Sequence, residues 1–153
     1  MTHPVTPQDI DDAAIGLRGH VVETPCPPSQ TLSAITGASV YCKFENLQYT
    51  AAFKERGARW FLEGMSDAER ARGVVAASAG NHAQGLAHHA QLLDITATIV
   101  MPLATPFTKI VRTELSGATV VLHGADFEAA RNYALELAAT SGATFVPAFD
   151  DRA

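Results

Sequence analysis

From Val74 onward the chain repeats one pattern, a short apolar run rich in β-formers followed by a longer segment with helical spacing. The runs are Gly73-Val-Val-Ala-Ala77, Thr96-Ala-Thr-Ile-Val-Met101, Thr119-Val-Val-Leu122 and Thr144-Phe-Val146. They are continuous rather than alternating, which marks strands covered on both faces, as in a parallel sheet. Between them Ala83, Leu86, Ala87, Ala90 and Leu93 fall on one helical stripe, and Phe127, Ala130, Ala134 and Leu137 on another. Parallel strands joined by helices cross over right-handed. The pattern therefore predicts βαβαβαβ, an α/β fold with a three-layer open parallel sheet. At 153 residues and 47% apolar content the chain can bury the core such a sheet needs.

The first fifty residues read differently. A helix is expected over Pro7 to Leu17, a proline-rich turn at Pro25 to Pro28 and a strand near Val40 to Phe44. A soft boundary near Asn46 to Thr50 divides an N-terminal segment, 1–48, from the α/β unit, 49–150, with 151–153 as a tail. The last apolar run ends at Val146 with no helix after it, so the chain is expected to be a truncated form of something longer.

Charge and composition exclude several classes of partner. The net charge is -5 and the 11 Lys and Arg are scattered, so no basic face is available for a nucleic-acid backbone. No stretch approaches the roughly 20 apolar residues of a membrane span, and Met1 to Ile10 lacks the pattern of a secretory leader. A cytoplasmic protein is expected. Cys26 and Cys42 are too few for a disulfide framework and read as reduced thiols.

Two segments carry chemistry. In Asn46-Leu-Gln-Tyr-Thr-Ala-Ala-Phe-Lys-Glu-Arg-Gly-Ala58, Lys54 follows an aromatic residue at the expected start of a helix. The partial positive charge of a helix N-terminus disfavours an ammonium, and Schiff-base chemistry requires a neutral amine. Phe53 could pack on a planar cofactor ring. The plainer alternative is a solvated Lys54 paired with an acid such as Glu55. The other lysines, Lys43 and Lys109, fall in an expected strand and an expected surface helix.

After the first apolar run comes Ser78-Ala-Gly-Asn-His-Ala-Gln-Gly85, a small-residue turn leading into a helix. Backbone N–H groups at such a turn point at an anion, and Ser78, Asn81 and His82 add side-chain donors. The turn lacks the Lys-Ser/Thr of a Walker loop and the spacing of a dinucleotide turn. Alternatively, Ser78 merely caps the helix and Asn81 bonds its own backbone. His82, His88 and His89 have no i, i+4 partner with an acidic third ligand, so no metal site is read.

Taken together, Lys43 to Ala58 and Ser78 to Gly85 resemble the fold-type II enzymes that depend on pyridoxal 5'-phosphate (PLP), and more narrowly the threonine dehydratases, or threonine ammonia-lyases, with serine racemase as a mechanistic neighbour. Val100-Met-Pro102, Val120-Val-Leu-His-Gly124 and Phe149-Asp-Asp151 extend the resemblance over nearly the whole chain. It implies that residues 49–150 correspond to the smaller domain of that fold and the N-terminal segment to part of an incomplete larger one. It makes Lys54 the cofactor-holding lysine and the general base, and Phe53 its neighbour on the pyridine ring. Asn81 would bond the phenolic oxygen, while Ser78, Asn81 and His82 would take the substrate carboxylate. The implied reaction is deamination of threonine or serine to a 2-oxo acid and ammonia, by a homo-oligomer in the full-length form. Ala79 stands where similar racemases carry a serine, which favours elimination over racemisation.

Two departures from the family stand out. Thr50-Ala51-Ala52-Phe53-Lys54 replaces the usual Thr-Gly-Ser-Phe-Lys, and the family's glycine-rich phosphate loop has no counterpart in this sequence. Weak cofactor binding and poor turnover are expected of the isolated chain. Racemisation, another reaction of the same superfamily, or a non-catalytic remnant are the alternatives.

Overall fold

The four apolar runs form strands β1 (Val74–Ala77), β2 (Ala97–Met101), β3 (Thr119–Leu122) and β4 (Thr144–Phe145) in the computed structural model, which describes residues 5–149. All pairings are parallel and the spatial order is β3-β2-β1-β4. The open parallel sheet expected from the sequence is therefore present. The expected burial of every strand on both faces holds only for the central pair. β1 and β2 are almost entirely buried, whereas β3 exposes Thr119 and Leu122 and β4 is only half-buried. β3 and β4 are edges, with one neighbour each to cover them.

The described residues form seven α-helices: α1 (Pro7–Gly16), α2 (Gln30–Thr36), α3 (Lys54–Gly64), α4 (Asp67–Arg72), α5 (Asn81–Leu92), α6 (Phe107–Leu115) and α7 (Phe127–Ser141). Ala58 and Leu62 of α3 and Ala83, Leu86, Ala87 and Ala90 of α5 close over Ile99 and Met101 on one face. On the other face Ala130, Ala134 and Ala138 of α7 pack on Val75, Ala77 and Val100. This is the three-layer arrangement. Leu62, Leu86, Ile99 and Met101 are fully buried, each contributing roughly 1.5–3 kcal/mol of transfer free energy. Phe127 departs from its expected stripe and stays about half exposed.

The N-terminal segment departs further. The expected helix forms as α1, opened by Pro7 and a reciprocal Thr6–Asp9 cap. Sequence reasoning missed α2, although Ser29 at its start and Gly37 at its end, with φ +72°, were the signals. The strand expected at Val40 to Phe44 shrinks to an isolated antiparallel bridge between Pro28 and Tyr41. Its partner segment supplies the reason. Pro25 and Pro27 accept hydrogen bonds from the N–H groups of Phe44 and Cys42 but have none to give back, so no reciprocal ladder can form. Both cysteines are free. The tail at 151–153, with Asp151 of the family motif, lies outside the described residues.

Candidate active site at the switch point of the sheet

From β1 the chain steps to β2 and β3 on one side and then returns to place β4 on the other. The connections above β1 and β4 consequently diverge, and a crevice opens outside the carboxyl ends of those two strands. A cavity of about 220 Å³ lies there, lined by Ala77 at the end of β1, Phe145, Pro147, Ala148 and Phe149 at the end of β4, and Phe127 and Arg131 of α7.

Lys54, the first residue of α3, reaches this place from the opposite face of the sheet. Its Nζ donates to the carbonyl of Ala148 at 2.6 Å and sits over the ring of Phe149, 4.3 Å from the centroid. The Phe53 ring, itself largely exposed, is 5.6 Å away. The alternative pairing with Glu55 does not occur. Glu55 turns inward, fully buried, and accepts the backbone N–H of Thr50. That bond pins the loop before the lysine, where Ala51 adopts φ +58°. A side chain in that left-handed region costs roughly 1 kcal/mol, and this is the position where the resembling enzymes carry glycine.

Two helices must approach closely to bring the second segment beside the first. A Cβ on Gly85 would stand 3.2 Å from the Glu55 nitrogen and 3.3 Å from the Lys54 carbonyl carbon, so glycine lets α5 lie against the start of α3. The turn before α5 does not use its side chains for capping. Gly80 is the N-cap residue, with no side-chain hydrogen bond to the helix, and Ser78 Oγ instead accepts the N–H of Gly80 at 3.3 Å. The first-turn N–H groups are thus left to a ligand.

His82, buried at the same turn, donates from Nε2 to the Val146 carbonyl at 3.2 Å, which places its proton on Nε2 and leaves a lone pair on Nδ1. Desolvation is the main influence lowering its pKa; the Val146 hydrogen bond opposes it and the charge of Lys54 adds to it. The imidazole is therefore engaged with the exit of β4, and what His82 offers an anion is its backbone N–H. Asn81 is exposed at the mouth of the turn. The structure thus brings Lys54, Ser78 and His82 together, with Asn81 and Phe53 at the rim. Sequence reasoning missed Ala148 and Arg131 as lining groups. Neither belongs to a local motif, because each arrives through the sheet order.

A lysine amine and an uncapped helix N-terminus thus meet at the switch point of the parallel sheet of an α/β domain. The chain belongs to the family described as pyridoxal-phosphate dependent enzymes, whose model matches residues 17–153. It is 48% identical over 147 residues to the L-threonine ammonia-lyase of Thermotoga maritima, covering 96% of this chain and 37% of that protein. It is 44% identical over 151 residues to a catabolic L-threonine dehydratase of Staphylococcus aureus, covering 98% and 44%. Among solved structures it is similar to the processed threonine deaminase isoform 2 of Solanum lycopersicum, with TM-score 0.84 and 35% identity over 99% of this chain and 46% of that one. Maize serine racemase superposes with TM-score 0.89 at 27% identity, over 98% and 46%. The chain spans less than half the length of these relatives.

The residues present fit the family's cofactor at its reactive end. The amine can take an aldehyde, the aromatic faces of Phe53 and Phe149 flank that amine, and the free N–H groups of α5 suit an oxyanion or carboxylate.

Proposed function

We propose that this chain supplies the lysine-bearing half of a site that deaminates threonine or serine to a 2-oxo acid and ammonia. One observation carries the reading: Lys54 Nζ and the open N-terminus of α5 converge on the crevice beyond β1 and β4. The names of the relatives support the substrate class.

Bound PLP would supply an electron sink for the pair left at the substrate Cα. The remaining tasks fall to this chain. Lys54 would hold the cofactor through its amine, and its Nζ would serve as the base that takes the substrate's Cα proton. The α5 N–H groups, with Ser78 and Asn81, hold the substrate carboxylate so that this Cα–H faces Lys54. Loss of the β-hydroxyl as water, then hydrolysis of the released enamine, balances threonine against 2-oxobutanoate and ammonia, and serine against pyruvate and ammonia. Arg131 at the cavity lip adds a cation that suits the cofactor or the substrate carboxylate. Ala79 offers no acid to the opposite face of the substrate, which favours elimination over racemisation.

The test is to incubate the chain with PLP and each amino acid, measuring 2-oxo acid, ammonia and the D-enantiomer. Formation of 2-oxo acid that is lost in Lys54→Ala supports the proposal. Racemised serine with no 2-oxo acid overturns it. Exposed apolar side chains such as Ile15, Ile35 and Leu115 favour association, and homo-oligomerisation is part of the proposal.

A further inference from the structure

Buried polar atoms without a hydrogen-bond partner gather on the inner side of α3, turned away from the cavity. Of the six such side-chain atoms found among the described residues, five belong to Thr50, Glu55, His88 and His89: Thr50 Oγ1, Glu55 Oε2, His88 Nε2 and both ring nitrogens of His89. Glu55 and His89 are fully buried and His88 half-buried. Glu55 Oε2 and His89 Nε2 face each other at 3.5 Å without hydrogen-bond geometry, and buried polar atoms left so are costly unless something satisfies them. Arg56 pairs with Glu45, and Arg59 pairs with Glu63 through Nη2 while its Nε is the sixth unpartnered atom.

The geometry points to a transition-metal site formed by Glu55, His88 and His89, with Zn²⁺ as the fitting ion. One ligand atom from each residue lies within 4.8 Å of the others. A tetrahedral ion with bonds of about 2.0–2.2 Å spaces its ligand atoms roughly 3.3–3.5 Å apart. Glu55 Oε2 and His89 Nε2 already stand at 3.5 Å, and His88 offers the third ligand atom within 4.8 Å.

Two imidazoles and one carboxylate select zinc, cobalt or nickel over magnesium and calcium, which take oxygen ligands. Thr50 Oγ1, held beside the carboxylate by its own backbone N–H, or a water completes the coordination. The exposed Tyr49, whose ring lies 5.3 Å from that of His88, marks the side from which an ion enters. Adjacent histidines on one helix gave no recognisable spacing in the sequence, because the acidic ligand comes from α3. Glu55 directly follows Lys54, so the ion would clamp the lysine's helix to α5 at its first turn.

The test uses the metal-free chain without cofactor, so its outcome is independent of the proposed reaction. Calorimetric titration with Zn²⁺ is expected to give one ion per chain, and Co²⁺ a visible absorption band of tetrahedral intensity. His88→Ala, at a half-buried position that the core does not depend on, should keep the far-ultraviolet dichroism and weaken binding by at least about tenfold. Glu55→Gln and His89→Ala should remove the Co²⁺ band, while His123→Ala leaves it. Absence of saturable binding, or binding that His88→Ala leaves unchanged, overturns the site and leaves the cluster to buried water.

Discussion

The segment before Lys54 and the unit from Val74 onward are held together by different forces. Around β1 and β2 the buried strand residues are apolar and packed in two layers, although the α3–α5 side also buries Glu55, His82 and His89. Among the described residues up to Gln48 the buried ones are Leu17 and two polar ones, Thr24 and Gln48. Cohesion there comes from directed bonds. Glu45 accepts from Thr24 at 2.6 Å and from Nε and Nη2 of Arg56, each at 2.8 Å, and Gln48 clamps both backbone groups of Val22 at 3.0 Å. Area holds one region and charge-assisted hydrogen bonds the other. Glu45 makes the second sensitive to strong acid, and the loop carrying Lys54 lies between the two.

The sharpest test of the contrast removes area. Ile99→Ala, at a fully buried position in the central strand, should cost about 3–4 kcal/mol and lower the midpoint of urea unfolding monitored by far-ultraviolet dichroism. The loss should be the same at pH 7 and pH 5.

Removing charge comes next in size. The hydrogen bonds from Arg56 are the largest influence holding the Glu45 carboxyl down at about 2, against an ordinary value of 4.5. A depressed acid contributes stability that is fully present above the unfolded value and is lost as pH falls through the folded one. The segment should therefore stay docked above about pH 5 and loosen between about pH 4 and 2. Glu45→Gln should cost roughly 2 kcal/mol at pH 7 and flatten that acid limb. The single tryptophan reports it, because Trp60 packs against Gly16 of α1 so closely that a Cβ there would meet its ring at 2.4 Å. Retention of the acid transition in Glu45→Gln would break the comparison.

The smallest effect is local. Ala51→Gly relieves the left-handed φ and should raise stability by roughly 0.5–1 kcal/mol, measured as a shift of the same urea midpoint.

This contrast also explains what could be read in advance. The strands and α5 were legible because a continuous apolar run and a 3.6-residue stripe report burial directly, as at Ile99 and Leu86. The short antiparallel ribbon of 25–44 was misread because its apolar residues mimic a strand while its prolines withhold the donors a ladder needs. Within the site, Lys54 and the Ser78 to Gly85 turn are local motifs and could be singled out. Ala148 and Phe149 meet the lysine, and Arg131 lines the cavity beside them, only because β4 returns beside β1, a consequence of strand order that no spacing encodes. Ala51 was visible as a departure from the family, but its cost emerged only with its φ angle.

The central claim is that Lys54 Nζ, placed beneath the exit of β4, is the amine that holds PLP. Titrating the chain with PLP while following visible absorbance, then reducing with borohydride and mapping the labelled peptide, tests this directly, with Lys54→Ala as control. The account predicts a band that saturates and a label confined to Lys54, absent from the variant. Equal labelling of Lys43 and Lys109, or a band unchanged in Lys54→Ala, would contradict it.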